Sequence, residues 1–257
     1  PGTSNGGNNR GVFFGGEINR ESSPVFSSEI EYITISTQSN GQLFGNCALS
    51  GLSSATSNNT NNRGIRSGGW NGSSILSSME YITITTLGNA FPFGNLTVGR
   101  YFLAATSNGT GNRGIFGAGN TNPSGPSGAV STIDYITITT PGNASFFGNL
   151  IQRRYHHACT SNLTGNRGIF GGGLNQSNST LNSIEYVTIN NPGNGVNFGN
   201  LSGRYGLCAT SSGNRGVFAG GYWYNYMDYV SIDNPGNAVT FGYTTVNRYT
   251  SAATSNA

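Results

Sequence analysis

A motif that returns five times, at a spacing of about fifty residues, constrains this chain more than any other feature of its sequence. The clearest copy spans 154–201 and reads RYHHACTSNLTGNRGIFGGGLNQSNSTLNSIEYVTINNPGNGVNFGNL. Four pieces recur in fixed order. A small-residue run ends at Thr56, Thr106, Thr160, Thr210 and Thr254. Arg-Gly followed by Val or Ile falls at Arg10, Arg63, Arg113, Arg167 and Arg215. An acid-Tyr segment starts at Glu31, Glu80, Asp134, Glu185 and Asp228. A Phe-Gly pair falls at Phe44, Phe93, Phe147, Phe198 and Phe241. A repeated unit of this size is one supersecondary element that buries its apolar face only against its neighbours.

The pieces are short and rich in Ile, Val, Thr, Tyr and Phe, and Gly, Asn and Pro-Gly separate them. That is the pattern of strands joined by tight turns. In the copy at 154–201 the strands are expected near 154–161, 167–171, 183–189 and 195–201. Asn and Gly between them accept the positive φ of tight hairpins. No stretch has helical periodicity. The sequence therefore predicts an all-β, five-bladed β-propeller of four-stranded antiparallel blades, forming one domain over 1–257. The blades are expected near 50–98, 100–150, 154–201 and 204–243, with the last assembled from 248–256 and 10–47. Joining the two ends in one sheet removes exposed strand edges. Residues 2–5, GTSN, duplicate the end of that same first strand, so the two ends overlap. Either the N-terminal piece is displaced, or one end pairs with a neighbouring molecule.

A strand ending in di-glycine (Gly15-Gly16, Gly68-Gly69, Gly172-Gly173, Gly220-Gly221), followed by an acid-Tyr strand, resembles the kelch repeat. The wording IEYITI, PGNA and FGNL is closest to kelch-like repeats of phage and virus-associated proteins. The resemblance covers essentially the whole chain. It departs at Gly117-Ala118-Gly119, where the di-glycine is interrupted, and at Phe93, Phe147, Phe198 and Phe241, which stand where kelch repeats carry Trp. It implies a propeller and a tendency toward binding or scaffolding, not a particular reaction.

Only 8% of residues are charged, all twelve basic residues are Arg, and the net charge is +3. Nine of those Arg sit in two dispersed series: the five above, and Arg100, Arg154, Arg204 and Arg248. Nucleic-acid binding needs a clustered basic face, so no nucleic-acid partner is expected. No apolar run is long enough to span a bilayer, so no membrane insertion is expected. The absence of an initiator Met and of a signal-peptide pattern suits a mature or trimmed chain. Cys47, Cys159 and Cys208 stand where other copies have Leu or Ala, as buried thiols do. One disulfide, between Cys159 and Cys208 on adjacent strands, is open at this point.

The repeated acids invite comparison with glycoside hydrolases, which need two carboxylates in different environments. Five near-identical positions do not supply that asymmetry, and pairing with one of the two Arg series is expected instead. His156 and His157 are adjacent on a strand and point to opposite faces, so they do not share a metal. Gly171 to Gly173 lack the Lys and helix of a phosphate loop. No catalytic residue, metal or cofactor is expected. Candidate recognition residues are Trp70, Tyr222, Trp223, Tyr224 and Tyr226, aromatics in the divergent loops that join second to third strands. The alternative is that they cap their own blades. Sequons at Asn58, Asn108 and Asn162 recur at one hairpin expected to be exposed, where a glycan would be tolerated.

Together these readings point to a non-enzymatic structural or interaction protein at an extracellular or virion surface. It would be a subunit of a virion, tail or fibre-like assembly, with itself or other surface proteins as partners. The alternative is a lectin-like propeller binding glycans, and a glycoside hydrolase ranks last.

Overall fold

The computed structural model describes residues 1–19, 25–249 and 251–254. It is a five-bladed β-propeller: five four-stranded antiparallel sheets in a ring, here lettered A to E. Blade A holds β1 (Gly2–Ser4), β2 (Arg10–Asn19), β3 (Val25–Thr34) and β4 (Gln42–Asn46). Blade B holds β5 (Ser54–Ser57), β6 (Arg63–Ser67), β7 (Ser78–Thr83) and β8 (Phe91–Asn95). Blade C holds β9 (Ala104–Ser107), β10 (Arg113–Asn120), β11 (Ala129–Thr137) and β12 (Ser145–Asn149). Blade D holds β13 (Ala158–Ser161), β14 (Arg167–Gly171), β15 (Ser183–Thr188) and β16 (Val196–Asn200). Blade E holds β17 (Cys208–Ser212), β18 (Arg215–Ala219), β19 (Tyr226–Ser231) and β20 (Val239–Tyr243).

One segment sits elsewhere than the sequence suggests. The first strand of blade A is Gly2–Ser4, with Thr3 opposite Val12, and not 248–256. Of the latter, 250, 255 and 256 lie outside the described residues, and 251–254 forms no strand. The duplicated Thr-Ser-Asn explains the exchange. Asn5 Oδ1 accepts the Arg10 N–H at 2.8 Å, the bond that Asn58, Asn108 and Asn162 make to Arg63, Arg113 and Arg167 in their blades. GTSN thus satisfies the hairpin from within its own strand, without a chain end returning.

Adjacent blades meet through apolar layers. Ile115, Ile133 and Phe147 of blade C, for example, pack on Phe170, Val187 and Ile189 of blade D. The outer strands approach so closely that a Cβ on Gly148 would lie 2.1 Å from the Gly193 carbonyl of the next blade's Pro-Gly-Asn turn. Glycine is obligatory at that contact.

Three of the five repeated acids pair with a repeated arginine, and the structure selects between the two Arg series. Arg100–Asp134 (2.9 Å), Arg154–Glu185 (2.5 Å) and Arg204–Asp228 (2.6 Å) are buried ion pairs. Blade B has Ser50 at that Arg position, and Arg66 from β6 meets Glu80 instead. The other series stacks on the repeated tyrosines: the guanidinium carbons of Arg10, Arg63, Arg113, Arg167 and Arg215 lie 4.4 to 5.0 Å from the ring centres of Tyr32, Tyr81, Tyr135, Tyr186 and Tyr229. Among the described residues, Glu31 of blade A joins no ion pair and is exposed.

Candidate functional site

Blades C, D and E enter their first strands through an Arg-Tyr-X lead-in at one mouth of the central channel, and blade B through Ser50-Gly51-Leu52 at the same place. Residue X is left-handed: Leu52, Phe102 and His156 have φ of 59°, 53° and 56°, and Gly206 has 68°. That turn lets the X amide of one blade donate to the X carbonyl of the blade before. Phe102 N–H donates to Leu52 O at 2.8 Å, His156 N–H to Phe102 O at 3.2 Å, and Gly206 N–H to His156 O at 2.8 Å. The bonds climb around the axis and bring the lead-in side chains together.

The result is a continuous aromatic cluster, with Tyr101, Tyr155 and His156 buried and Phe102 and Tyr205 half-buried. Tyr101 lies against Phe102, Phe102 against Tyr155 and His156, and His156 against Tyr205. Tyr205 stacks on Tyr222 with ring centres 5.2 Å apart, and Tyr222 meets Trp223 edge-on at 5.1 Å. Tyr249 closes the group, touching His156, Tyr205 and Tyr222. Burial pushes the phenols of Tyr101, Tyr155 and Tyr205 up, so these groups stay neutral donors. Phe102 and His156 also border the axial cavity of about 510 Å³, whose wall is otherwise mostly Gly, Ala, Ser and Cys.

Trp223 is the outlying member. It is 72% exposed, and its φ of 65° is strained for a bulky residue. With Tyr222, Asn247, Arg248 and Tyr249 it borders a second hollow of about 170 Å³. An exposed indole held against a phenol, with a guanidinium and an amide beside it, offers a flat apolar face rimmed by donors. That chemistry suits the face of a sugar ring or a protein hot spot.

Of the residues singled out from sequence, Tyr222 and Trp223 belong to this cluster. Tyr224 and Tyr226 form a separate chain of rings that runs to Tyr243 at the outer strand of blade E. Trp70 packs edge-on against Phe26 at 5.7 Å and pairs with Gly51 in an isolated bridge, capping its own junction. Part of the Phe26 loop, 20–24, lies outside the described residues. Sequence reading missed Tyr101, Tyr155, Tyr205 and Tyr249. The repeated Arg-Tyr dipeptide was the available signal, but it reads as a strand residue unless the left-handed turn after it is known.

His156 and His157 lie before β13 and not on it, with His156 left-handed, so strand alternation does not apply to them; His157 is buried against Phe170. Burial, then the charges of Arg154, His156 and Arg100, hold its pKa well below the ordinary 6.5. No three His, Cys, Asp or Glu side chains gather as metal ligands among the described residues. No helix there is long and apolar enough to cross a membrane.

The glycan expectation requires correction. Asn58, Asn108 and Asn162 are at most 6% exposed, each accepts a backbone N–H through Oδ1, and each Nδ2 donates to another side chain. A sugar on Nδ2 would break the hairpin that the asparagine holds. Cys47, Cys159 and Cys208 are free thiols, so the disulfide left open above is not formed. Burial raises the pKa of all three. No model of a known protein family matches the chain, and no curated protein matches it.

Proposed function

We propose that this propeller is a non-enzymatic interaction module that engages a protein partner through the aromatic mouth of its channel, as a subunit of an extracellular or virion-surface assembly. The observation that carries the reading is the exposed Trp223 set on Tyr222, at the end of a ring of aromatics contributed by successive blades. Rigid aromatic anchors of this kind concentrate binding energy at protein interfaces. The repeated carboxylates of blades B to E are each engaged by an arginine, which supports a binding role over hydrolysis. The resemblance to kelch-like repeats, including those of phage-associated proteins, points the same way.

Glycan binding is the second reading, favoured by the hollow of about 170 Å³ beside Trp223 with Asn247 and Arg248 on its rim. One pair of measurements separates the two. Sedimentation of the chain and of Trp223→Ala across a concentration series reads self-assembly, and a glycan array reads sugar binding. Assembly lost in Trp223→Ala supports the first reading. Saturable glycan binding lost in the same variant moves the assignment to a lectin. If neither property depends on Trp223, the aromatic mouth is not the recognition surface.

A further inference from the structure

Four blade junctions contain a packed apolar layer: A/B, B/C, C/D and D/E. The junction between blades E and A has no such layer among the described residues. Phe241 of blade E is 49% exposed, while Phe44, Phe93, Phe147 and Phe198 are 3 to 4% exposed. Val217 and Met227 on the same face, and Phe13, Ile33 and Ile35 on the facing side of blade A, are only partly buried. Their counterparts at the C/D junction, Ile115, Ile133, Phe170, Val187 and Ile189, are at most 2% exposed. The residue types match those of the filled junctions, and the cover is missing.

What stands in this seam is the chain at 248–249 and 251–254. The Arg248 carbonyl accepts the Gly221 N–H at 2.8 Å. Arg100, Arg154 and Arg204 accept the N–H groups of Gly69, Gly119 and Gly173 in the same way, at 2.8 to 2.9 Å. Arg248 therefore occupies the lead-in of a blade following E. At its other end, Thr254 Cγ2 lies 3.5 Å from a Cβ built on Gly11. Thr3, Thr56, Thr106 and Thr160 stand at 3.2 to 3.3 Å from Gly64, Gly114, Gly168 and Gly216, in each case the first strand of one blade against the second strand of the next. Thr254 therefore occupies the first strand of a blade preceding A. The segment holds the place of a first strand, and no second, third or fourth strand accompanies it among the described residues.

We propose that the E/A seam is a docking slot for a three-stranded segment of the same repeat, completed by 251–254. The filled junctions specify the recognition. The acid of the incoming segment pairs with Arg248, which is exposed here, as Glu185 pairs with Arg154. The carbonyl ending its third strand accepts from Arg215, as Ile232 O accepts from Arg167. A backbone N–H after its fourth strand reaches Glu31, as Thr97 N–H reaches Asp134. Its Pro-Gly-Asn turn covers Gly242, where the nearest atom to a built Cβ is now Met227 Cε at 3.5 Å, as Gly236 covers Gly199. Its apolar faces cover Phe241 on one side and Ile33 on the other.

The probe is a synthetic polypeptide of residues 166–201, the chain's own repeat without its first strand, titrated into the 257-residue chain by calorimetry, with amide exchange on the complex. The expected result is one-to-one binding that protects the β18 and β20 amides. Phe241→Asp should weaken it at least tenfold. Phe146→Asp, on an equally exposed phenylalanine away from the seam, should leave it unchanged. Absence of binding, with β20 amides already protected in the free chain, means that blades E and A close directly and overturns the proposal. Self-association through the seam that Phe241→Asp abolishes, with no peptide uptake, assigns it to a second copy and also overturns it. Binding indifferent to Phe241→Asp overturns it too. None of these outcomes touches the aromatic mouth, so the reading proposed above stands or falls separately.

Discussion

Burying an arginine is tolerable here because each guanidinium meets a carboxylate at a fixed place in the repeat. Burial lowers the pKa of Arg100 and Arg154, and Asp134 and Glu185 oppose that shift. His157 has no such compensation. Its counterparts in the other copies are Ser53, Leu103, Leu207 and Ser251, so the backbone there accepts an apolar side chain. The unfolded chain takes up a proton near the ordinary 6.5, and the folded chain resists it because burial and neighbouring cations depress the value. Stability is therefore fully present above the unfolded value and falls as pH drops through it, toward the depressed folded value. The slope contributed by this one group reaches about 1.4 kcal/mol per pH unit. His157→Leu should flatten the denaturation midpoint between pH 6.5 and 4.5 relative to the parent chain. Equal acid sensitivity in both chains would remove His157 from the account.

That the acids pair was legible from low overall charge and fixed spacing. Which arginine they choose was not, because both series precede the acid by plausible distances on neighbouring strands. The choice rests on which side of the blade each Arg emerges: the lead-in arginines point into the sheet and the Arg-Gly arginines lie over tyrosine rings. Blade B shows the same chemistry reached from another position, with Arg66 replacing the arginine lost at Ser50.

At the scale of strands and turns, the Phe-Gly pair and the Pro-Gly-Asn turn are two halves of one contact. Ala144, Gly195 and Ala238 N–H groups donate across it to Asn95, Asn149 and Asn200 carbonyls at 2.7 to 2.8 Å. The glycine of the strand and the glycine of the turn look alike in sequence, yet the structure distinguishes them. A Cβ on Gly148 meets the Gly193 carbonyl at 2.1 Å, and a Cβ on Gly193 meets nothing nearer than the Asn191 carbonyl at 3.9 Å. Gly148→Ala should cost roughly 1–3 kcal/mol by forcing blades C and D apart. Gly193→Ala should change stability by about 0.5 kcal/mol or less, as at an unhindered surface site. Chemical denaturation of the two variants reads the difference, and equal losses would mean that the strand, not the inter-blade approach, needs glycine. The propeller and its blade count were legible because every turn and apolar stripe recurs. The placement of the ends was not, since 2–5 and 253–256 carry nearly the same residues and the repeat alone assigns both to one strand.

For the whole molecule, blades B, C and D bury both faces, whereas A and E each bury one. In an array of repeats, stability is close to a sum of each unit's own term and its neighbour interfaces. Blade E, with Phe241 and Val217 uncovered, should open at lower free energy than blade C, whose Ile115, Phe116, Ile133 and Phe147 are all within 3% of full burial. Native-state amide exchange measures this directly. The β10 and β11 amides should exchange only through global unfolding, and those of β18, β19 and β20 through a partial opening at least about 1–2 kcal/mol below it, as sub-global opening elsewhere leads one to expect. Blade A has the same one-sided support: it is tied to blade B through Asn5 and Asn62 and through Arg10 and the Ile84 carbonyl, as E is tied to D through Asn162 and Asp233 and through Arg167 and the Ile232 carbonyl. Its amides should likewise open below those of C. Uniform protection across all five blades would mean that the ring behaves as one cooperative unit with its seam shut in solution. Protection graded outward from blade C would mean that the molecule reaches its full cooperativity only when the sixth position, marked by Arg248 and Thr254, is filled.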